Sequence, residues 1–363
     1  MDQLHSAADE PLPARLLDRL CLWTRARRYP GHLVRVGERI GAELLHAHFA
    51  PWGWHVRGAA RKLGVPLVVS FYGYDVNQLP TVEPRWRERY RELFADAALV
   101  LCEGEHMAAC IRALGCEPAK LRVQRLGVDV AAIEHRPRAI DPRTPLRVLM
   151  AAAFREKKGV PLGIEALATL ARSHPVELTL IGAASDLDAS RTEGQLVEAA
   201  LERASRVKGF RVRRLGFQPH TVLFDEATRH DLFLSPSLTA SDGDTEGGAP
   251  MALVDMAASG IPIVSSTHCD IPGVIRHGVT GLLAREADLE DLVATLERAL
   301  QLGSTWFDMT VAGRSHIEQN FDAAEQGLRL AALYREAIAR AASPIAEVRV
   351  PVGPGRAQRG GVA

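Results

Sequence analysis

The chain carries no excess of charge of either sign, since 44 Lys and Arg stand against 44 Asp and Glu. No global field therefore draws nucleic acid to its surface, and no nucleic-acid partner is expected. Cysteine is sparse. The five (Cys21, Cys102, Cys110, Cys116 and Cys269) form no CxxC and no metal-like spacing, which argues for a reduced compartment and against a disulfide framework. No apolar run has the length of a membrane span. The opening "MDQLHSAADEPLP" is acidic and polar, unlike the basic start and apolar stretch of a signal peptide. These absences lead to the expectation of a cytoplasmic protein, with membrane contact confined to a peripheral one at the inner face. Lysine is scarce beside arginine, which we read as genome composition.

What is present suits two globular domains. The 363 residues are 47% hydrophobic and 24% charged, ordinary values for chains that fill full cores. Apolar runs that read as strands alternate with segments of helical period. "ELLHAHFA", "VPLVVSFYG", "ALVLCEG" and "LRVQRLGVD" are the strands of the first half. "HVRGAARKLG" is a helix closed by Gly64, and "EPRWRERYRELFADA" a basic one. After a polar, Pro-rich stretch the pattern restarts with "LRVLMAAAF", "VELTLIG", "VRRLGF", "DLFLSPS" and "IPIVSS". Helices are expected from Val160 to about Ser173, near 193–207, at 219–229 and 250–259, near 288–302, and as one long stretch over 305–340. The boundaries follow: a first domain over 1–137, a linker at 138–145, a second domain over 146–325, a C-terminal helix over 326–342 and a disordered tail over 343–363. Continuous apolar strands mean sheets covered on both faces, so the fold class is α/β with two parallel, doubly wound units. Ligands of such folds bind beyond the carboxyl ends of strands.

Two loops at such ends can carry chemistry. "TASDGDTEGGAP" (239–250) follows a strand and precedes a helix with Pro250 at its first turn. Its glycines let backbone N–H groups approach a ligand, and a helix N-terminus favours anions. Glu246 can accept from vicinal hydroxyls, and Asp255 lies one and a half turns into the helix. Such a pair suits a polyol attached to a phosphate. A capping loop with solvated acids reads the same way, and this loop alone does not decide. "FREKKGV" (154–160) places Arg155, Lys157 and Lys158 beside another helix start, where cations can hold a diphosphate and stabilise its departing charge. A solvated basic turn is the plain alternative, and the pairing with the acidic loop favours the first reading.

"HAHFAP", "VVSFYGYDV", "FREKKG", "LGFQPH", "LSPSLTASDGDTEGGAP", "ASGIPIVSS" and "IPGVIRHGVTGLL" together resemble family 4 glycosyltransferases of the exopolysaccharide or colanic-acid type, over roughly residues 40–340. The resemblance implies the GT-B fold, two facing Rossmann-like domains. It implies an acceptor-binding first half, a nucleotide-sugar-binding second half and transfer with retention. The nucleoside diphosphate would leave on the face the acceptor enters, and one of its oxygens would help deprotonate the acceptor. Glu246, Lys158 and Arg155 are then the catalytic set, with Glu246 on the donor sugar and the cations on the diphosphate. Asp255 would hold the ribose, and Gly182, Thr239, Gly247, Gly248, Ala249 and Pro250 complete the donor side. His48, Tyr72 and Asp75 fall on the acceptor side. The co-substrate is a nucleoside-diphosphate sugar, the acceptor a glycan or lipid-linked glycan, and no cofactor or metal is implied.

The chain departs from that pattern in several places. Eight residues, rather than seven, separate the two acids, and the second is Asp255. Ala152-Ala153 replace the usual Gly-Arg, so Arg155 would serve from a shifted position. Tyr72 stands where His is common, and a phenol is a poor base near neutrality. Gly273 replaces the Glu of "IPE". Residues 1–40 do not read as the family's opening strand, Gly-rich loop and helix. We therefore expect an incomplete N-terminal domain that lacks a central strand and that loop's backbone donors. These departures keep open a catalytically impaired sugar-nucleotide-binding or assembly partner as the alternative. An epimerase or phosphorylase on the same fold is a third reading, which "DTEGGAP…D" disfavours.

Three features are ambiguous. His46 and His48 share one face of a strand without a third metal ligand nearby, so cleft-lining histidines are the expectation. Trp52 and Trp54 are either core or a sugar or lipid platform. Arg85, Arg87, Arg89 and Arg91, with Trp86 and Tyr90 between them, make either a solvated face or a surface for anionic lipid.

Overall fold

The computed structural model describes residues 30–342 except Asp186 and the side chain of Asp188. The expected disordered tail, and residues 1–29 of the expected incomplete opening, lie outside the described residues. Residues 30–40 form a helix, α1.

The first unit then runs β1 (Leu45–His48), α2 (Ala50–Leu63), β2 (Leu67–Ser70), α3 (Leu79–Val82), α4 (Arg85–Asp96), β3 (Ala97–Cys102), α5 (Glu105–Ala113) and β4 (Leu121–Val123). The strands pair in parallel in the order β1-β2-β3-β4. All four residues of β2 are buried, which accounts for a strand with no polar alternation. Gly64 ends α2 in the left-handed region, as its position predicts. The basic helix α4 turns Trp86 and Tyr90 into the core. Its Arg89 lies over the rings of Trp54 and Trp86, at 4.4 and 4.7 Å, so part of that charge covers aromatic surface. Trp54 is thus packed, whereas Trp52 is exposed.

The second unit contains β5 (Leu146–Ala151), α6 (Val160–Leu170), β6 (Val176–Ile181), α7 (Asp188–Ser205), β7 (Phe210–Gly216), α8 (His220–Ala227), β8 (Leu232–Ser235), α9 (Met251–Ser259), β9 (Ile263–Ser266), α10 (Ile271–Val274), β10 (Leu282–Ala284) and α11 (Leu289–Leu302). Its parallel sheet has the order β10-β9-β8-β5-β6-β7. The chain winds outward from β5 to β7, then returns to pair β8 with the other side of β5. The loops after β5 and β8 therefore diverge from adjacent strands, which is the switch-point crevice where doubly wound folds bind ligands. The short β10 and α10 were not read from the sequence. α7 begins five residues before its expected start.

The single helix expected over 305–340 is two, α12 (Thr305–Phe321) and α13 (Ala323–Ala342). Asp322 adopts an extended conformation between them, and its carboxylate accepts from the Ala324 and Glu325 N–H groups. The break lets the chain change units. α12 packs on α9, whereas Leu330, Leu333, Tyr334 and Ala337 of α13 pack on Val68, Leu99 and Leu101 of the first sheet. Residues 138–145 lie on the second unit, with the Ile140 N–H donating to Gly303 O at 3.3 Å.

Candidate active site

The two units meet through the loops at the carboxyl ends of their strands. A Cβ on Gly73 would stand 2.5 Å from Thr245 O and 2.8 Å from Gly247 N, so the turn after β2 touches the loop after β8 backbone to backbone. Asn77 donates to Thr245 Oγ1 at 2.7 Å, and Gln78 donates to Asp242. The Asp270 carboxylate, after β9, accepts from the His106 and Met107 N–H groups at 2.8 and 3.1 Å. It thus caps the N-terminus of α5 from the opposite unit, where a helix favours negative charge.

At the switch point the loops after β5 and β8 lie side by side. Gly159 has φ +60°, and a Cβ there would stand 2.0 Å from Pro236 O. Only glycine permits that approach. It brings Lys158 Nζ to 2.8 Å from Glu246 Oε2, while Ser237 Oγ donates to Oε1 at 3.0 Å. The Glu246 side chain is 6% exposed and that of Lys158 22%. Lys157 pairs with Asp244 at 3.0 Å and donates to Thr245 O at 2.8 Å. The basic turn and the acidic loop thus touch through both lysines. Arg155 is exposed and lines a hollow of about 540 Å³ together with Glu193, Asp242 and the Lys157–Asp244 pair, and Lys157 is the cation placed next to Lys158.

Asp255 lies in α9 behind Gly247, Gly248, Ala249 and Pro250, with Pro250 capping the helix. His220, at the start of α8, meets it at 2.8 Å. Burial raises the Asp255 pKa, and the hydrogen bond and charge of His220 oppose the rise. Gly182 holds φ +144°, and a Cβ there would stand 1.9 Å from Ala152 O. It is needed for the approach of β5 to β6. Thr239 contributes its N–H, which donates to Glu286 Oε1 at 2.6 Å.

That last contact belongs to a network the sequence did not suggest. His268 is fully buried. Its Nε2 accepts the Glu246 N–H at 3.1 Å, which places the ring proton on Nδ1. Nδ1 stands 3.1 Å from Glu286 Oε2, an ion-pair distance off the line of a good hydrogen bond. Burial works against the Glu286 charge, but Thr239 and His268 hold its pKa below the usual range. The Glu246 loop is thereby pinned at both ends. We predict that His268→Phe lowers turnover about fivefold while nucleotide affinity changes little, since one neutral hydrogen bond is worth about 1 kcal/mol. Parallel losses in both quantities would show a general collapse of the loop instead.

On the first unit, His48 Nδ1 and the Tyr72 hydroxyl lie 2.6 Å apart. Burial first, then Glu103, raise the Tyr72 pKa, so the phenol stays protonated. Asp75 is completely buried. It accepts from the Ala50 and Tyr72 N–H groups at 2.6 and 2.7 Å, and burial raises its pKa to about 7 against those bonds. Phe49, between His48 and Ala50, has φ +68°, a conformation costing about 1–3 kcal/mol. Asp75 is therefore a positioning residue: it holds the turn that aims His48 and carries Tyr72. His46 is engaged at both nitrogens, by Tyr334 at 2.7 Å and Ser70 at 2.9 Å. Burial and then His48 lower its pKa to about 4, so it is neutral at physiological pH. No group of three or more His, Cys, Asp or Glu suited to a metal occurs among the described residues.

Residues 5–132 match the model of Glycosyltransferase Family 4, and residues 145–302 that of Glycosyl transferases group 1. The amylovoran biosynthesis glycosyltransferase AmsK of Erwinia amylovora is 34% identical over 287 residues, which are 78% of this chain and 67% of the relative. This chain is a family 4 glycosyltransferase. The colanic acid biosynthesis glycosyltransferase WcaL of Salmonella typhimurium, itself named as putative, is 31% identical over 308 residues, 83% of this transferase and 72% of the relative. Sucrose-phosphate synthase of Thermosynechococcus elongatus superposes with a TM-score of 0.72 at 17% identity, covering 88% of this chain and 79% of that one. HepE of Anabaena, solved with UDP-glucose, gives 0.66 at 19%, covering 84% and 81%. The transferase thus has the GT-B fold of two facing parallel-sheet α/β units. No described helix is long and apolar enough to cross a membrane.

Proposed function

We propose that this transferase moves a sugar from a nucleoside-diphosphate sugar to a glycan or lipid-linked acceptor in cell-surface polysaccharide biosynthesis, with retention. The Lys158–Glu246 pair at the switch point carries this reading. One ammonium hydrogen occupies Glu246, and an ammonium has three to give. Lys158 can hold a diphosphate oxygen while it steadies the carboxylate that faces sugar hydroxyls. The nine-residue helix α9 begins beside them with the backbone of Gly247 to Pro250, a ready site for phosphate. Asp255, five residues into α9, is the ribose partner. Catalysis then rests on positioning between the units and on neutralising the leaving group. The names of the relatives support the polysaccharide setting, and the UDP-sugar in HepE supports the donor class. A peripheral contact of the α4 arginines with anionic lipid at the cytoplasmic face of the membrane belongs to the same proposal.

Calorimetry of the whole protein with UDP, GDP and ADP tests the donor site. One of them should bind, and Asp255→Ala should weaken it roughly tenfold to a hundredfold, from about 1.5–3 kcal/mol per charged hydrogen bond. Binding of none removes the assignment. NMR of the first-formed product reads retention, and an inverted anomer ends that part of the proposal.

A further inference from the structure

The hollow of about 540 Å³ that Arg155 lines has Gln78 of the first unit in its wall, and the rest of the wall comes from the second. Its size suits a small molecule. Lys157 and Asp244 border it, just before Lys158 and Glu246 in the chain. Glu193 and Leu196 reach it from α7, which packs on one face of the second sheet, whereas α9 with Asp255 packs on the other. Most of the polar groups here are engaged. Glu156 accepts from the Ser241 N–H and hydroxyl at 2.9 and 2.7 Å, Lys157 holds Asp244, and Gln78 donates to Asp242. Two are not. Glu193 is only 4% exposed, yet among the described residues no donor reaches its carboxylate, and no acceptor meets the Arg155 guanidinium. Glu193 is the sixth residue of α7, beyond the first turn in which a helix steadies an acid. Burial, then the charge of Glu156, raise its pKa. A buried carboxylate without a donor costs free energy, so the hollow has an unmet demand for hydroxyl or amino hydrogens.

We propose that this hollow binds a neutral sugar of the acceptor glycan, with Glu193 accepting from its hydroxyls and Arg155 donating to them. Each hydroxyl both donates and accepts, so one free carboxylate and one free guanidinium suit a polyol together. Leu196, 52% exposed, offers an apolar surface to the C–H face of a sugar ring. The acids in the wall (Glu156, Glu193, Asp242 and Asp244) outnumber the cations Arg155 and Lys157. That balance disfavours a phosphate or a second nucleotide. The donor's ribose partner Asp255 lies on the other face of the sheet, which leaves this side to the glycan. The site rests on the transfer reaction proposed above. It adds a grip on the acceptor from the second unit to that of His48 and Tyr72 on the first, and it gives Arg155 a saccharide partner in place of the diphosphate.

Methyl NMR of the whole protein, labelled at leucine and alanine and saturated with whichever of UDP, GDP or ADP it binds, tests the site. The probes are glucose, galactose, mannose, fucose and N-acetylglucosamine, with inorganic phosphate and glycine beside them. At least one sugar should shift the Leu196 and Ala189 methyl signals in a saturable way. Glu193→Gln should weaken that binding about tenfold or more, the scale of one hydrogen bond to a charged group. Ala189 is exposed on the wall of the hollow, so Ala189→Trp should block the sugar and leave nucleotide affinity unchanged. If the glutamine variant does not fold, the tryptophan variant alone decides. The proposal is overturned if no sugar moves Leu196, if only phosphate or glycine does, or if the response survives both variants within about twofold. Protein that binds none of the three nucleotides overturns the transfer reading and takes this site with it, whereas the sugar failures leave the transfer reading standing.

Discussion

Glu246→Ala should reduce turnover by roughly a hundredfold or more while leaving nucleoside-diphosphate affinity within about threefold. The carboxylate is nearly buried and accepts from Lys158 and Ser237, so its position is fixed before substrate arrives. Two hydroxyl bonds to a fixed charge, at about 1.5–3 kcal/mol each, correspond to at least that factor. Removing the acid also leaves Lys158 part-buried without its anion, and breaking such pairs is costly, about 3–5 kcal/mol in buried cases. Glu246→Gln therefore belongs beside it, since the amide keeps an acceptor for Lys158. Steady-state kinetics with calorimetry on both variants give the answer. If nucleotide affinity falls in step with turnover, Glu246 acts on the nucleotide and its assignment to the sugar is wrong.

The second large effect should come from a residue with no side chain. Gly73 has φ −57° and ψ −47°, a helical conformation that alanine adopts without strain. Its added Cβ would nevertheless meet backbone atoms of Thr245, Glu246 and Gly247 between 2.5 and 2.8 Å. Neither loop can give way cheaply, because Asp75 fixes one and His268 the other. Gly73→Ala should therefore melt as the wild type does and yet lose about a hundredfold in turnover, the scale of a 1 Å misplacement at a reacting centre. Solution scattering with saturating nucleotide should show a larger radius of gyration. Unchanged turnover would mean that the contact between the units is not part of the reacting state.

Much of this architecture could be read from residue patterns. Strands such as Leu67–Ser70 are apolar throughout because both sheet faces are covered. Gly64 and Pro250 mark helix ends by backbone geometry that few other residues supply. Lys158 and Glu246 could each be picked out as a charged residue at the end of a strand. Their contact could not, because it depends on the strand order that sets β8 beside β5. The break at Asp322 was hidden for a related reason. Both flanking segments have helical period, and only the two surfaces they cover differ. His268 and Glu193 gave no signal in the sequence. His268 does its work through a main-chain N–H, which no side-chain pattern encodes. Glu193 matters through the hollow it faces, which only the folded chain encloses. Asp75 shows the converse: its place in "FYGYD" points to the cleft, but its carboxylate is spent on two main-chain N–H groups behind it.

The crossing at Asp322 has a mechanical consequence. Among the described residues the chain passes between the units twice, after β4 and after α12, and the two passages are joined. The Val128 N–H donates to Phe321 O at 2.8 Å, and the Ala323 N–H donates to Val128 O at 2.9 Å. A body held by one flexible tether can swing in any direction. Two passages laced together at one place resist being pulled apart there, so the joint between the units is a short hydrogen-bonded seam rather than a single free linker.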